Sequence, residues 1–126
     1  MYNSKKYDDN RPNAGVTIVP FIYEDNILKT LIYKRANNAE VFADTWSLPN
    51  AFFDIKVFDS LESAAKYALA EKTNVSLKHM EQLHTFSGLY IDPTRINTTN
   101  TCYFSLCNKS SIIELENQKF ETKWVS

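Results

Sequence analysis

A glutamate and a lysine stand side by side as Glu71 and Lys72, near the end of a segment rich in alanine and leucine. A carboxylate at this place could ligate a divalent cation, because Mg²⁺ is usually held through carboxylates and substrate phosphates in near-octahedral geometry. A single glutamate beside a lysine is a poor magnesium site, since the ammonium group repels the ion. We therefore expect Glu71 to be a solvated residue on the polar face of a helix, and we expect no resident metal or other cofactor.

Other residues have the chemistry of a nucleotide site. Arg35 follows an apolar run, and its planar guanidinium could bind a phosphate through two parallel N–H groups, although a solvated strand-end arginine is equally compatible with the pattern. Phe52, Phe53 and Tyr90 could stack on a base or line its slot. Aromatic residues in a β-rich domain are nevertheless more often part of the core.

Several other kinds of site are not supported by the sequence. His79 and His84 are separated by five positions in an extended segment, a spacing that does not bring two imidazoles to one metal. Cys102 and Cys107 have the same odd spacing, which places them on opposite faces of a sheet and predicts neither a disulfide nor a zinc site. The sequence contains neither a Gly-Lys-Ser phosphate loop nor a nucleophile elbow.

The composition is that of one folded domain. The 126 residues suffice for a single hydrophobic core, and 44% of them are hydrophobic against 23% charged. Residues 1–13 are polar and predict a loose leader, so the domain is expected at 14–126. The leader does not resemble a secretory signal, and no apolar run approaches the ~18 residues of a membrane span. We expect a cytoplasmic protein with no membrane partner.

The charge pattern disfavours nucleic acid as a partner of this domain. The net charge is -1, and the 14 basic residues are spread along the chain. Affinity for DNA rests mainly on basic groups that neutralise phosphates. A DNA-binding function would therefore have to reside in another domain.

One segment predicts an α-helix. Asp59 or Ser60 begins it, and Glu62 is placed to complete a capping box with Asp59. Asn74 can end it, because asparagine tolerates the left-handed conformation. A continuous apolar stripe follows the helical spacing: Leu61, Ala64, Ala65, Ala68 and Leu69. The helix is expected to pack through small residues.

The rest of the chain predicts strands. Residues 16–23 and 27–34 are β-branched-rich runs joined by Glu24, Asp25 and Asn26, a hairpin signature. Residues 36–45 are polar and loop-like. Further strands are expected at 80–86, 98–106 and 120–125. The order of hairpin, loop, helix and strands predicts a mixed α/β (α+β) domain.

The helix and the residues around it resemble the Nudix box, whose helix carries Arg-Glu-U-x-Glu-Glu-x-Gly-U, where U is aliphatic. With Leu69 and Val75 at the aliphatic positions, Glu71 matches the first glutamate of the pair. The other key positions differ. On the helix, Tyr67 replaces the arginine, Ala68 replaces the glutamate that follows it, and Lys72 replaces the second glutamate of the pair. The three glycines of the motif are replaced as well, by Asn74 at the end of the helix and by Asn50 and Ala51 upstream of it. Most of the magnesium-binding carboxylates of a Nudix hydrolase are thus replaced.

A narrower resemblance fits these differences better than simple loss of the motif does. The chain is similar to the Nudix-related transcriptional regulators of NAD metabolism, whose Nudix domain senses ADP-ribose and precedes a winged helix-turn-helix. Seven residues match the motif of that branch in type and spacing: Phe52, Asp54, Leu69, Glu71, Lys72, Thr73 and Val75. The similarity continues through residues 81–86, the Asp92-Pro93 loop with Arg95 near the place of the branch's second arginine, residues 102–104 and residues 123–125.

The resemblance implies a Nudix fold, a mixed sheet with the box helix packed on it. It also implies a catalytically inactive domain that binds ADP-ribose or a related nucleotide diphosphate in a groove between the box helix and the hairpin, as the effector part of a transcriptional regulator. The ligand-binding residues it suggests are Arg35, Phe52, Phe53, Asp54, Glu71, Lys72, Asp92 and Arg95. Two alternatives stay open: a divergent Nudix hydrolase of nucleoside diphosphate derivatives, which would use magnesium, and a Nudix-fold scaffold that acts by self-association, for example as a homodimer.

Overall fold

A computed structural model describes residues 11–88, 91, 97–114 and 119–126 of the chain, with only the backbone of Ser111. The strands are β1 (Asn13–Glu24), β2 (Ile27–Lys34), β3 (Trp46–Ser47), β4 (Asn50–Phe52), β5 (Val75–Ser76), β6 (Glu81–Gly88), β7 (Thr98–Cys107), β8 (Ile113–Glu114) and β9 (Thr122–Val125), and the helix is α1 (Leu61–Thr73). The predicted leader lies largely outside the described residues. β1 begins at Asn13, one residue before the predicted start of the domain.

The hairpin predicted at the start of the domain is confirmed. β1 and β2 pair antiparallel, with Glu24 opposite Ile27 across a two-residue turn. Both turn residues have positive φ, 53° for Asp25 and 62° for Asn26. Type I′ turns require this conformation, and aspartate and asparagine adopt it more readily than other non-glycine residues. The turn chemistry therefore sets the hairpin register.

Most of the described strands join one mixed sheet. Its order is β3-β2-β1-β7-β6, with β4 paired to β1 and β9 paired to β2. β1 and β7 run parallel, while the other pairs in this sheet are antiparallel. β5 and β8 form a separate two-stranded sheet. The fold class is mixed α+β, as predicted.

The predicted strands are confirmed with shifted ends. The strand expected at 80–86 is β6, the one at 98–106 is β7, and the one at 120–125 is β9, which begins only at Thr122. Four short strands, β3, β4, β5 and β8, were not predicted. They are two or three residues long, too short to show an alternating pattern in the sequence.

The helix is confirmed, but its predicted capping box is wrong. Ser60, in extended conformation, is the N-cap, and its side chain accepts a hydrogen bond from the backbone N–H of Ser63. The Ser63 hydroxyl in turn accepts a hydrogen bond from the backbone N–H of Ser60 at 3.2 Å. Because the N-cap is Ser60, one residue after Asp59, the N3 position falls on Ser63 instead of Glu62. At the other end Asn74 is left-handed with φ 62°, as expected.

The helix packs on one face of the sheet and forms the core with it. Ala64, Ala65, Ala68 and Leu69 are buried, as the stripe predicted. They belong to one cluster with Val16, Ile18, Leu31 and Tyr103 of the central strands, among others. The small side chains allow the helix to lie close to the sheet. No helix among the described residues is long and apolar enough to cross a membrane.

The two cysteines lie on opposite faces of β7, as their spacing predicted. Cys102 is paired in register with Thr17, and Cys107 with Ile22. Both are free thiols. Burial raises the pKa of each thiol above its usual value, which lowers the thiolate fraction.

Candidate functional site

Three neighbouring strands place polar side chains on the sheet face away from the helix. β1 pairs with β4 on one side, with Gly15 opposite Phe52, and with β7 on the other, with Gly15 opposite Asn100. Because successive side chains in a strand alternate between faces, Thr17 and Asn50 share this face with them. The helix contacts the opposite face, through Val16 and Ile18. The helix therefore does not cover the polar face, and a site can form there.

A cavity of about 350 Å³ lies on this face. It is bounded by β1, β4, β7 and the loop between β2 and β3, and its described lining is Asn13, Ala14, Gly15, Thr17, Arg35, Val41, Phe42, Ser47, Asn50, Ala51, Phe52, Ile91, Thr98 and Asn100. Its volume is within the range of small-molecule sites, ~300–1,000 Å³. A larger and more open depression of about 740 Å³ lies elsewhere, around Tyr23 and Leu106. We regard the smaller cavity as the candidate site because it contains the predicted residues Arg35 and Phe52.

Arg35 is the one charged residue in the described lining of the cavity. It follows β2, and its backbone N–H donates to the carbonyl oxygen of Thr45 at 2.8 Å, which closes the base of the intervening loop. Its Nε donates to the carbonyl oxygen of Val41 at 3.0 Å, and its Nη1 donates to the hydroxyl of Tyr33 at 3.3 Å. These bonds orient the guanidinium and leave further N–H donors for an anion.

The loop between β2 and β3 has a fixed shape. Phe42 and Asp44 have positive φ, 53° and 60°. The Thr45 hydroxyl donates to the carbonyl oxygen of Phe42 at 2.6 Å. This conformation places Phe42 at the cavity with 59% of its surface exposed. Sequence reasoning missed Phe42, because a lone aromatic residue in a polar loop has no pattern that indicates its position.

Asn50 occupies the place of a glycine in the motif that the sequence resembles. Its side-chain amide donates to the carbonyl oxygen of Leu48 at 2.7 Å and to the hydroxyl of Ser47 at 3.1 Å. The Asn50 side chain therefore stabilises the conformation of the segment that precedes it. A Cβ at Gly15 on β1 would lie 3.2 Å from Nδ2 of Asn100, which would have to shift by a few tenths of an ångström, and at an ordinary contact distance of 3.5 Å from the carbonyl oxygen of Ala51.

Thr98 lines the cavity and has a buried hydroxyl group. The residue is only 8% exposed, and its Oγ1 has no hydrogen-bond partner among the residues that the structure describes. A buried polar group without a partner costs ~1–3 kcal/mol. Thr98 and Asn100 were not among the predicted site residues, because they join the cavity only through the pairing of β7 with β1.

Phe52 and Phe53, both predicted ligand residues, lie on opposite sides of the chain. Phe52 lines the cavity and is 52% exposed. Phe53 packs against the hydrophobic core. Asp54, the next predicted residue, organises the following turn: its carboxylate accepts a hydrogen bond from the backbone N–H of Lys56 at 2.9 Å. Neither Phe53 nor Asp54 is in the cavity lining.

Glu71 and Lys72 of the helix also lie outside the cavity lining. Glu71 accepts two hydrogen bonds from the ammonium of Lys119, at 2.9 and 3.0 Å. Nζ of Lys72 lies 5.6 Å from the centre of the Tyr33 ring and 5.0 Å from that of Phe120, both cation–π distances. Burial lowers the pKa of Lys72, the charge of Glu71 opposes the shift, and the charge of Arg35 adds to it.

These positions alter the predicted groove. The cavity beside Arg35 is bounded by strands and a loop, whereas the groove was expected between the box helix and the hairpin. Lys72 is linked to it indirectly, because the same Tyr33 faces Lys72 with its ring and Arg35 with its hydroxyl. Asp92 and Arg95, along with Tyr90, lie outside the described residues and stay predictions.

The described residues do not form a recognisable metal centre. No group of three or more histidine, cysteine, aspartate or glutamate side chains comes together among them. The cavity lining, as far as it is described, contains neither aspartate nor glutamate. Mg²⁺ is ordinarily held through at least one carboxylate. The described donors of the cavity suit a ligand with hydroxyl, amide and anionic groups better than a bare cation.

Comparisons with known proteins agree with the fold and the motif. No family model matches the chain. It is 25% identical over 122 residues to the ADPR responsive transcriptional repressor NtrR of Acinetobacter baylyi, covering 97% of the chain and 48% of that protein. The chain therefore spans about half the length of this curated relative.

Solved structures give a similar result. The NUDIX domain of Shewanella oneidensis NrtR complexed with ADP ribose superposes with a TM-score of 0.75 at 29% identity, over 98% of this chain and 82% of that one. Shewanella oneidensis NrtR complexed with a 27mer DNA gives 0.70 at 33% identity, over 88% of this chain and 49% of that one. The chain therefore has the Nudix fold and is similar to the Nudix domains of these regulators.

Proposed function

We propose that this domain binds ADP-ribose or a related nucleotide diphosphate without hydrolysing it, and that it serves as the effector domain of a transcriptional regulator of NAD metabolism. One observation carries the proposal: a cavity of suitable size combines an oriented arginine with exposed aromatic rings and neutral hydrogen-bonding groups. A nucleotide diphosphate offers the complementary groups, namely a diphosphate, a flat base and sugar hydroxyls.

The cavity has a partner for each part of such a ligand. Arg35 can bind diphosphate oxygens with charge-assisted hydrogen bonds, each worth ~1.5–3 kcal/mol. Phe42 and Phe52 expose ring surface on which a base can stack. Thr17, Asn50 and Asn100 are uncharged polar residues in the lining. This division of roles is the basis of the proposal.

Binding without a metal follows from the charges around the cavity. Its described lining carries Arg35 and no carboxylate, so the protein supplies the positive charge that the diphosphate needs. Lys72 adds to the local positive potential, since its ammonium lies 5.6 Å from the centre of the Tyr33 ring, whose hydroxyl accepts a hydrogen bond from Arg35. Arg95 is proposed as a further cation on the same ligand. Magnesium would then be dispensable for affinity.

The relatives support the regulatory part of the proposal. One is described as an ADPR-responsive transcriptional repressor, and two of the Shewanella structures hold ADP-ribose or DNA. This chain covers only about half of those longer proteins, so DNA binding is proposed for a protein that contains this domain, not for the domain alone. The net charge of -1 is consistent with that division.

Isothermal titration calorimetry of the domain with ADP-ribose, NAD, NMN and ATP, with and without magnesium, tests the proposal. We expect ADP-ribose to bind in the absence of magnesium, with an affinity that magnesium changes less than threefold. A thermal-shift series with the same ligands provides an independent readout. Absence of both heat and thermal shift at millimolar ADP-ribose would refute the sensor function and leave the interaction-scaffold alternative.

A further inference from the structure

The polar face of the sheet continues beyond the cavity onto β6. Asn100, which lines the cavity from β7, is paired in register with Phe86 on β6. The preceding residue, Thr85, points to the helix side, where its hydroxyl lies 3.1 Å from that of Thr101, the partner of the core residue Val16. Because side chains alternate along a strand, Phe86 points to the cavity side of the sheet. It lies there beside Asn100, one strand beyond the described lining.

The ring of Phe86 is accessible and has a defined orientation. The residue is 40% exposed. Its ring centroid lies 4.7 Å from that of His84, two residues earlier on the same face, with the ring planes at 68°. Such edge-to-face contacts are favourable and orient the two rings. An accessible, oriented aromatic ring on a polar sheet face is a surface on which a flat base can stack.

We infer that Phe86 and Asn100 form the subsite for the base of the ligand, with the base stacked on the Phe86 ring and its edge hydrogen-bonded to the Asn100 amide. The inference rests on the proposed function and specifies where in the site the base lies. It adds to the site a ligand-binding residue, Phe86, that lies outside the described lining of the cavity.

The order of groups across the sheet supports this placement. Arg35 follows β2, on one side of β1, and Phe86 lies on β6, on the other side of β1 and two strand spacings from it, or about 10 Å. Gly15 of β1 lines the cavity between them without a side chain. Across the sheet, a cation is thus followed by a glycine, the Asn100 amide and an aromatic ring. A nucleotide has its diphosphate, sugar and base in the matching order.

Asn100 offers a hydrogen-bond donor next to Phe86. Its Oδ1 accepts a weak hydrogen bond from the thiol of Cys102, with 3.5 Å between sulfur and oxygen. Its Nδ2 is directed towards β1, where it lies 3.2 Å from the position of a Cβ on Gly15. The edges of bases carry ring nitrogens that accept hydrogen bonds, and asparagine pairs with them in nucleic-acid complexes. The amide can therefore contact the edge of a base that stacks on the neighbouring ring.

Calorimetric titration of ADP-ribose into the full chain tests the subsite. We expect Phe86→Ala to weaken binding about five- to hundredfold, the loss typical of a base that stacks on an aromatic side chain. Asn100→Ala should weaken it about three- to tenfold, the loss of roughly one neutral hydrogen bond. The matched control is Tyr23→Ala, at an exposed aromatic residue of β1 roughly 26 Å from Gly15, which should change the affinity less than twofold.

Phe86→Trp keeps an aromatic face and adds a direct readout of proximity. We expect this variant to bind ADP-ribose within about threefold of the wild-type affinity. A base stacked on an indole quenches its fluorescence, so ligand should lower the emission more in Phe86→Trp than in the wild type, which contains Trp46 and Trp124. Tyr23→Trp should show no additional quenching. Thermal melting without ligand is the folding control for every variant.

The outcomes distinguish this inference from the proposed function. If the wild type binds ADP-ribose and Phe86→Ala changes the affinity less than twofold, the subsite is refuted and the function stands, with Phe42 as the remaining surface for the base. Loss of affinity in Phe86→Ala without quenching in Phe86→Trp also refutes stacking, because the effect would then be structural. Unchanged affinity in Asn100→Ala would refute the hydrogen bond to the base. If the wild type does not bind ADP-ribose, both the function and the subsite are refuted.

Discussion

The hydroxyl of Tyr33 accepts a hydrogen bond from Arg35 at 3.3 Å, while the ring of the same tyrosine lies 5.6 Å from the ammonium of Lys72. Tyr33 thus stands between two cations, one lining the cavity and one on the helix. The arrangement keeps two positive charges close together, and it orients the guanidinium before a ligand arrives. Preorganised donors reduce the entropic cost of binding.

Replacing Arg35 should therefore impair ligand binding. We expect Arg35→Met to weaken ADP-ribose binding about tenfold or more without magnesium, since charge-assisted hydrogen bonds of ~1.5–3 kcal/mol are lost. Arg35→Lys should retain part of the affinity. Calorimetric titration measures the change, and Lys66→Met, which removes an exposed charge of the helix, is the matched control. Unchanged affinity in Arg35→Met would contradict the assigned role.

The domain should not hydrolyse its ligand. The sequence has Tyr67, Ala68 and Lys72 at positions where the motif has an arginine and two glutamates. Glu71 is held by Lys119 at 2.9 Å. We expect no magnesium- or manganese-dependent turnover of ADP-ribose or dinucleoside polyphosphates, measured by chromatography of the products. Steady turnover with magnesium that disappears in Glu71→Gln would overturn this expectation and restore the hydrolase alternative.

The helix cap offers a test of local structure. Ser60→Ala should lower the free energy of unfolding by about 1 kcal/mol, because it removes the side chain that caps the N–H of Ser63. Asp59→Ala should change stability by less than about 0.5 kcal/mol, as is usual for surface positions away from such features. Urea unfolding of the two variants decides whether Ser60 or Asp59 caps the helix. A larger loss in Asp59→Ala would favour the cap that the sequence suggested.

Lys72 should make stability depend on pH. Burial lowers its pKa from the usual 10.5 in the folded protein, with opposition from Glu71 and reinforcement from Arg35 and Lys119. The folded state then binds this proton more weakly than the unfolded chain, so the contribution of Lys72 to stability increases as pH rises from the lowered pKa towards 10.5. It is smallest at neutral pH, where both states carry the charge.

Lys72→Met isolates that contribution. We expect the difference in free energy of unfolding, wild type minus variant, to increase between pH 7.5 and pH 10, measured by urea unfolding. Tyrosine and cysteine ionisation occurs in both proteins and largely cancels in the difference. Lys66→Met, which removes an exposed lysine from the same helix, is the matched control. A flat profile for Lys72→Met would contradict the burial of its ammonium.

The sequence by itself determined the features whose causes are local. Two residues that tolerate positive φ, Asp25 and Asn26, predict the hairpin between β1 and β2. The alanine-rich stripe predicts which face of the helix is buried, and Asn74 predicts where it ends. Each of these signals involves residues within a few positions of one another, so backbone preferences and hydrophobic periodicity suffice to reveal it. The Nudix fold, by contrast, was indicated by the resemblance of the ordered motif residues to a known family.

Only the tertiary structure decided which residues form the cavity. Thr98 and Asn100 reach it because β7 pairs in parallel with β1, a contact between segments some eighty residues apart in the chain. The register of β4 against β1 sends Phe52 to the cavity, while the adjacent Phe53 packs against the core. A one-residue shift in such pairing would exchange the two faces, and nothing in the local pattern sets it. Long-range strand pairing is therefore what converts a recognisable motif into a particular site.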